Sequence, residues 1–137
     1  KEYTADGVAV SFDPALCIHA RRCVHGLPGV FDVAKRPWIQ PAGADVDAVV
    51  EVVARCPTGA LAARRLDGGR DAPVQAGLTI TETVDGPLHV TGEIEVVGEA
   101  GEVVRTDSRV ALCRCGGTAN PPYCDGTHIE NGFSTTD

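Results

Sequence analysis

The sequence is poor in the large side chains that usually build a hydrophobic core. It contains no methionine, and only one tryptophan, two tyrosines and three phenylalanines among 137 residues. A chain of this length suits one medium-sized domain or two small ones. Small domains with little core to bury are commonly stabilised by bound metals, so we expect metal ligands to contribute to the stability of this chain.

Long apolar segments and positive charge are also lacking. No run approaches the roughly 18 apolar residues of a membrane-spanning helix, no signal-peptide pattern opens the sequence, and we expect a cytoplasmic protein. The 19 acidic residues outnumber the 12 lysines and arginines, giving a net charge of −7, which argues against nucleic-acid binding. An acidic surface suits docking to the basic face of a redox partner, although ordinary solubility explains the charge equally well.

What the sequence does contain is six cysteines, three of which lie close to one histidine. Cys113, Cys115, Cys124 and His128 fall within the stretch CRCGGTANPPYCDGTH. Thiolate and imidazole groups are ligands for soft and borderline metals, and four of them at this spacing predict one small metal centre. Structural zinc is the alternative for such a donor set. A disulfide is disfavoured, because neighbours spaced as C-x-C rarely pair with each other.

The same stretch resembles the signature of the CDGSH iron–sulfur domain, the mitoNEET-like family, C-x-C-x2-[ST]-x3-P-x-C-D-G-[ST]-H. The resemblance implies that the three cysteines and the histidine ligate one 2Fe–2S cluster, and that the chain forms a homodimer through this module. Thr118 and Asp125 are expected to hydrogen-bond around the cluster without ligating it, and Asp125 to cap a short helix that begins near Thr127. The signature positions are filled by Cys113, Cys115, Thr118, Pro122, Cys124, Asp125, Gly126, Thr127 and His128.

The other three cysteines form a second pattern. Cys17 and Cys23 are spaced as C-x5-C, and Cys56 follows far downstream with Pro57 directly after it. Bacterial ferredoxins combine closely spaced cysteines with a distant Cys-Pro to bind a cubane cluster. Residues 2–66 accordingly resemble the divergent mono-cluster ferredoxin domain, a Fer4-type module.

The pattern departs from a complete ferredoxin motif at one ligand. Ala20 stands where a further cysteine is expected, and the sequence contains no seventh cysteine. Three thiolates suffice for a 3Fe–4S cluster, whereas a 4Fe–4S cluster needs a fourth ligand. His19 is the candidate for that ligand, with a hydrogen bond to a cluster sulfide as its alternative role. His25 is a weaker candidate and fits a turn equally well.

Hydrophobic periodicity predicts an α+β fold, a small ferredoxin-like module followed by a β-rich CDGSH module. Residues 7–12 alternate as a strand, and residues 60–66 form a closing strand. Residues 44–55 form a helix behind Asp45 as N-cap, with one apolar stripe of Val46, Val49, Val50 and Val53. Beyond that helix the pattern is mainly β, with a hairpin turn at Asp85-Gly86. The predicted organisation is a cubane-cluster domain at 1–66, a linker at 67–74 and a 2Fe–2S domain at 75–137.

These features predict an electron carrier with two iron–sulfur clusters, which passes single electrons to a partner oxidoreductase or monooxygenase. The sequence shows no nucleophile–base arrangement, phosphate loop or paired carboxylates, so we expect no catalysis by this chain alone. Two alternatives stay open. One is a redox sensor or iron–sulfur cluster donor, and the other is a zinc-stapled interaction module without redox activity.

Overall fold

The computed structural model describes residues 1–70 and 77–136, which divide into two compact units. Part of the predicted linker 67–74 and the start of the predicted domain 75–137 therefore lie outside the described residues. Among the described residues, the first unit comprises 1–14, 19–56 and 60–70, and the second comprises 15–18, 57–59 and 77–136.

An antiparallel sheet and two helices build the first unit. The three strands pair in sequence order, and Leu61 faces Phe12 across the ladder between the second and third strands. The sequence pattern predicts the second and third strands but not the first, whose residues alternate between exposed and half-buried and which forms an edge of the sheet. The elements are β1 (Glu2–Ala5), β2 (Val8–Phe12), α1 (Arg22–Gly26), α2 (Val46–Ala54) and β3 (Leu61–Arg65).

The α2 helix confirms the prediction made from its valine spacing. The Asp45 side chain accepts the backbone hydrogen of Ala48 at 2.9 Å and caps the helix. Val49 and Val53 are almost fully buried, as their shared helix face predicts. Val52 is buried as well although it lies outside the predicted stripe, because α1 packs against α2 with Gly26 next to the Val52 side chain.

Trp38 closes the small core of the first unit. Its ring meets Phe12 edge to face at 5.0 Å between centroids, and it lies tilted against Phe31 at 6.0 Å. Phe31 and Ile39 are the largest side chains that are completely buried in this core. Valines and two aromatic contacts thus substitute for the large side chains that the sequence lacks.

A second antiparallel sheet and a one-turn helix form the other unit. The three strands pair in sequence order, and Val90 faces Val110 in a buried pair. The predicted turn at Asp85-Gly86 joins the first two of them, so this hairpin is confirmed. The fold class is α+β. The elements are β4 (Thr79–Glu82), β5 (Leu88–Val97), β6 (Val103–Leu112) and α3 (Thr127–Glu130).

The described helices are all short. Across residues 1–70 and 77–136, none has the length and apolar character needed to cross a membrane.

Candidate metal centres

The strand β6 delivers the first cysteine of the C-terminal motif. The ligand loop that follows folds back onto the end of the strand, where the Cys113 amide donates to the Pro122 carbonyl and the Cys124 amide to the Ala111 carbonyl, both at 2.8 Å. These two bonds place Cys113 and Cys124 on neighbouring segments although they are far apart in sequence. The predicted clustering of these cysteines therefore has a structural basis in antiparallel pairing.

The four donors of this motif lie in two close pairs. The sulfurs of Cys113 and Cys115 are 3.7 Å apart. The sulfur of Cys124 lies 3.4 Å from Nδ1 of His128, which the first turn of α3 carries toward it. The nitrogen that faces the sulfur is Nδ1, so Nε2 is the outer nitrogen of the imidazole.

The surroundings shift the pKa values of two candidate ligand thiols in opposite directions. Burial disfavours the Cys113 thiolate, yet backbone N–H groups of Thr118 and Gly116 donate to the sulfur and hold its pKa below the usual value. Cys124 is only 3% exposed, and burial raises the pKa of its thiol. Thiolate ligation at Cys124 would therefore need the positive charge that a bound metal supplies. Three thiols and one imidazole in two close pairs are a donor set that fits an iron–sulfur cluster.

Asp125 organises the loop around these donors. Its carboxylate accepts the Ala119 amide at 2.8 Å, the Thr127 amide at 3.0 Å and the Thr127 hydroxyl at 2.6 Å. These hydrogen bonds lower the pKa of Asp125 to about 2. The predicted N-cap role needs one correction: Gly126, at φ +90°, occupies the N-cap position of α3, and Asp125 binds the first amide of the helix from one residue further back.

Thr118 braces the opposite side of the same loop. Its hydroxyl donates to the Tyr123 carbonyl at 2.7 Å and accepts the amide of Asn120 at 3.1 Å. Thr118 and Asp125 therefore both hold the loop through its backbone, and their position around a cluster stays a prediction.

The three cysteines of the first motif are delivered by separate elements. Cys17 follows a 3-10 turn at Pro14–Leu16, Cys23 lies in α1, and Cys56 comes shortly after α2. All three are half-buried. The guanidinium of Arg22 donates to the carbonyl of Arg55 at 3.3 Å, which links the residue before Cys23 to the residue before Cys56.

The candidate fourth ligand lies in a constrained loop. His19 is exposed and adopts φ +56°, and Arg21 adopts φ +62°. Two non-glycine residues in the left-handed region so close together are uncommon and mark a loop whose path the surrounding structure imposes.

Within the described residues 1–70 and 77–136, no group of three or more histidine, cysteine or acidic side chains has the geometry of a site for a single metal ion.

Sequence reasoning gave no role to Arg114, which stands between two candidate ligands. Its side chain is 19% exposed and donates hydrogen bonds to the carbonyls of Gly86 and Thr83. The only sequence signal was an arginine enclosed by two cysteines, which does not reveal the direction of a long side chain.

Comparison with known proteins supports the same two sites. Residues 3–66 match the family described as a divergent 4Fe–4S mono-cluster, and residues 85–129 match the family described as an iron-binding zinc finger of CDGSH type. The chain is also similar to the uncharacterized protein YjdI of Escherichia coli strain K12 and to YjdI of Escherichia coli O157:H7. Each is 42% identical over 59 residues, which cover 43% of this chain and 78% of the relative.

The two motifs and these matches define an iron–sulfur protein. The chain belongs to the divergent 4Fe–4S mono-cluster family through its first half and carries a CDGSH iron-binding domain in its second.

Proposed function

We propose that this protein is a single-electron carrier with two iron–sulfur clusters, one of which is a His-ligated 2Fe–2S cluster. The observation that carries the proposal is the pairing of the C-terminal donors. Two thiolates at about 2.3 Å from one tetrahedral metal lie about 3.8 Å apart, and a thiolate and an imidazole about 3.5 Å apart. In the structure, the donor atoms of Cys113 and Cys115 are 3.7 Å apart, and those of Cys124 and His128 are 3.4 Å apart. Each pair thus suits one iron of a dinuclear cluster.

Cys17, Cys23 and Cys56 would hold the second cluster, of cubane type. Three thiolates give a 3Fe–4S cluster, and His19 completes a 4Fe–4S cluster if its imidazole serves as the fourth ligand. The match to a divergent 4Fe–4S family supports the cubane type. The departure from four cysteines makes His19 the residue that decides between the two forms.

The roles of the chain's own residues follow from this assignment. When bound, a 2Fe–2S cluster accepts and releases single electrons. His128 would contribute a neutral ligand in place of a thiolate, which would remove negative charge and make reduction easier than in an all-cysteine site. The amides that donate to Cys113 act in the same direction, since they stabilise added negative charge.

We propose further that substrate chemistry belongs to a partner, an oxidoreductase or a monooxygenase, in the cytoplasm. The net charge of −7 supports docking to a basic face of that partner. The resemblance to CDGSH proteins supports a homodimer, which light scattering on the purified protein would measure.

The test is low-temperature EPR on anaerobically purified protein, as isolated and after dithionite, with iron, sulfide and zinc counted on the same sample. We expect a reduced S = ½ signal from the 2Fe–2S cluster and a second signal from the cubane. A signal near g = 2.01 before reduction identifies 3Fe–4S, whereas its absence in wild type and appearance in His19→Ala identifies 4Fe–4S with a histidine ligand. A colourless protein containing stoichiometric zinc would overturn the proposal and establish the zinc-stapled module.

Cluster donation is a second candidate, because the ligand loop is open to solvent. Gly116 and Gly117 beside Cys115 are exposed, and His128 is only half-buried. Incubation with an apo-ferredoxin acceptor tests this function. Transfer within minutes at mildly acidic pH supports it, and a cluster that stays on the protein argues for electron transfer alone.

A further inference from the structure

The turn between β4 and β5 packs beside the candidate histidine ligand. This turn, residues 83–87, contains Gly86, which is buried. A Cβ atom placed on Gly86 would lie 3.7 Å from Nε2 of His128. Since Nδ1 faces Cys124, the 83–87 turn covers the outer edge of the imidazole.

Arg114 fastens this turn to the ligand loop. It stands between Cys113 and Cys115, and its Nε donates to the Gly86 carbonyl at 2.9 Å while Nη2 donates to the Thr83 carbonyl at 2.5 Å. Hydrogen bonds from a charged donor are stronger than those between neutral groups. The Arg114 side chain therefore binds two carbonyl groups of the turn to the segment that carries two candidate ligands.

Two further contacts orient the Arg114 guanidinium. Its Nη1 donates to the Glu82 carboxylate at 2.8 Å, and its centre lies 5.5 Å from the centroid of the Phe133 ring. The Glu82 side chain is 76% exposed, so this ion pair contributes little by itself. The hydrogen bonds to the Gly86 and Thr83 carbonyls are therefore the main contacts by which Arg114 holds the turn, an arrangement called the Arg114 clamp below.

A second set of hydrogen bonds, between Asp85 and Thr135, holds the same turn independently of Arg114. The amide of Thr135 donates to the Asp85 carboxylate at 2.8 Å, its hydroxyl donates there at 3.1 Å, and the Asp85 amide donates to that hydroxyl at 3.0 Å. Asp85 adopts φ +51°, a conformation that needs such support. The 83–87 turn is thus held at two places, by Arg114 from within the ligand loop and by Thr135 from the segment that follows His128.

From these contacts we infer that Arg114 is a positioning residue that keeps the 83–87 turn over His128 and thereby slows release of the cluster. The inference rests on the proposed 2Fe–2S assignment. The α3 helix that carries His128 has only four residues and cannot hold the imidazole by its own stability. The 83–87 turn lies on the Nε2 side of the ring, opposite Cys124, so it would hinder a movement of the imidazole away from the cluster.

Release to an acceptor is a ligand exchange without electron transfer. Four iron bonds to protein ligands are replaced by four bonds to cysteines of an apo-ferredoxin. The acceptor thiols give up four protons, three of which return to the freed cysteines and one of which passes to water. The imidazole leaves as the neutral base.

The test follows this exchange in the full-length protein by the EPR signal of the reduced 2Fe–2S cluster in timed samples. We expect Arg114→Gln to shorten the half-life of the cluster on the protein at least fivefold. Arg114→Lys should restore part of that half-life, and Thr135→Val should shorten it as well. Because both replacements loosen one turn, the double variant should fall short of the product of the single effects. Arg64→Gln, an exposed arginine on β3, is the matched control and should leave the half-life unchanged.

A His128→Cys background separates the turn from the ligand loop itself. With a thiolate in place of the imidazole, the outward swing of histidine no longer limits release, so Arg114→Gln should change the half-life less than twofold. An equal effect in both backgrounds would show that Arg114 acts only on its cysteine neighbours and would overturn the inference.

Two other results are equally decisive. If Arg114→Gln and Thr135→Val both release the cluster with the wild-type half-life, the positioning role of Arg114 is rejected and the cluster assignment stands. A wild-type protein without the 2Fe–2S signal would instead reject the proposed function. If Arg114→Gln fails to accumulate as a folded protein, Thr135→Val and Arg114→Lys still test the turn.

Discussion

The carboxylate of Asp125 accepts the backbone hydrogen of Ala119 at 2.8 Å and so ties together two points of the C-terminal ligand loop. The same carboxylate binds the amide and hydroxyl of Thr127 at the start of α3. Its lowered pKa, about 2, reports that these donors favour the charged form. The negative charge of Asp125 is therefore part of what shapes the loop between Cys113 and His128.

This pKa predicts an acid-dependent loss of stability. The folded pKa of about 2 lies below the ordinary value of 3.8, so the contribution is complete above about pH 4 and disappears as the pH falls toward 2. The urea midpoint of wild type should exceed that of Asp125→Asn at pH 5, and the difference should shrink between pH 4 and pH 2. A difference that stays constant over this range would contradict the prediction.

The N-cap of α2 gives a second prediction. Asp45→Ala removes the acceptor for the Ala48 amide and should lower the free energy of unfolding by about 1 kcal/mol. Asp45→Asn keeps an acceptor oxygen at the same place and serves as the control. Urea denaturation followed by circular dichroism measures both, and equal losses in the two variants would show that charge rather than capping is responsible.

The core of the first unit gives a third prediction. Ile39 is completely buried, so Ile39→Val should leave a small cavity and cost about 0.5–1.5 kcal/mol of unfolding free energy. Val33 is 69% exposed, and Val33→Ala should change that energy by less than about 0.5 kcal/mol. The prediction fails if the two replacements have the same effect in urea denaturation.

Single cysteine replacements should separate the two clusters. Cys124→Ser removes a buried candidate ligand of the 2Fe–2S site and should abolish that EPR signal while the cubane signal persists. Cys56→Ser should have the reverse effect. Iron counts on each variant check the assignment, and loss of both signals from either replacement would speak against two separate ligand sets.

The sequence was sufficient to predict the features that depend on local chemistry. The valine spacing and Asp45 predicted α2 nearly to its ends, and alternation predicted β2 and the hairpin at Asp85-Gly86. Cysteine spacing likewise predicted two iron–sulfur modules, which the two family matches support. Such features are encoded by residues that are close in the chain, so periodicity and spacing reveal them.

Only the tertiary structure decided which distant residues meet. The burial of Val52 depends on the packing of Gly26, the pairing of donors depends on the return of the loop onto β6, and the clamp depends on the direction of the Arg114 side chain. None of these has a local signature, since each joins segments that come together only when the chain is folded. The sequence thus determined what this protein can bind, and the folded structure determined how each ligand is held.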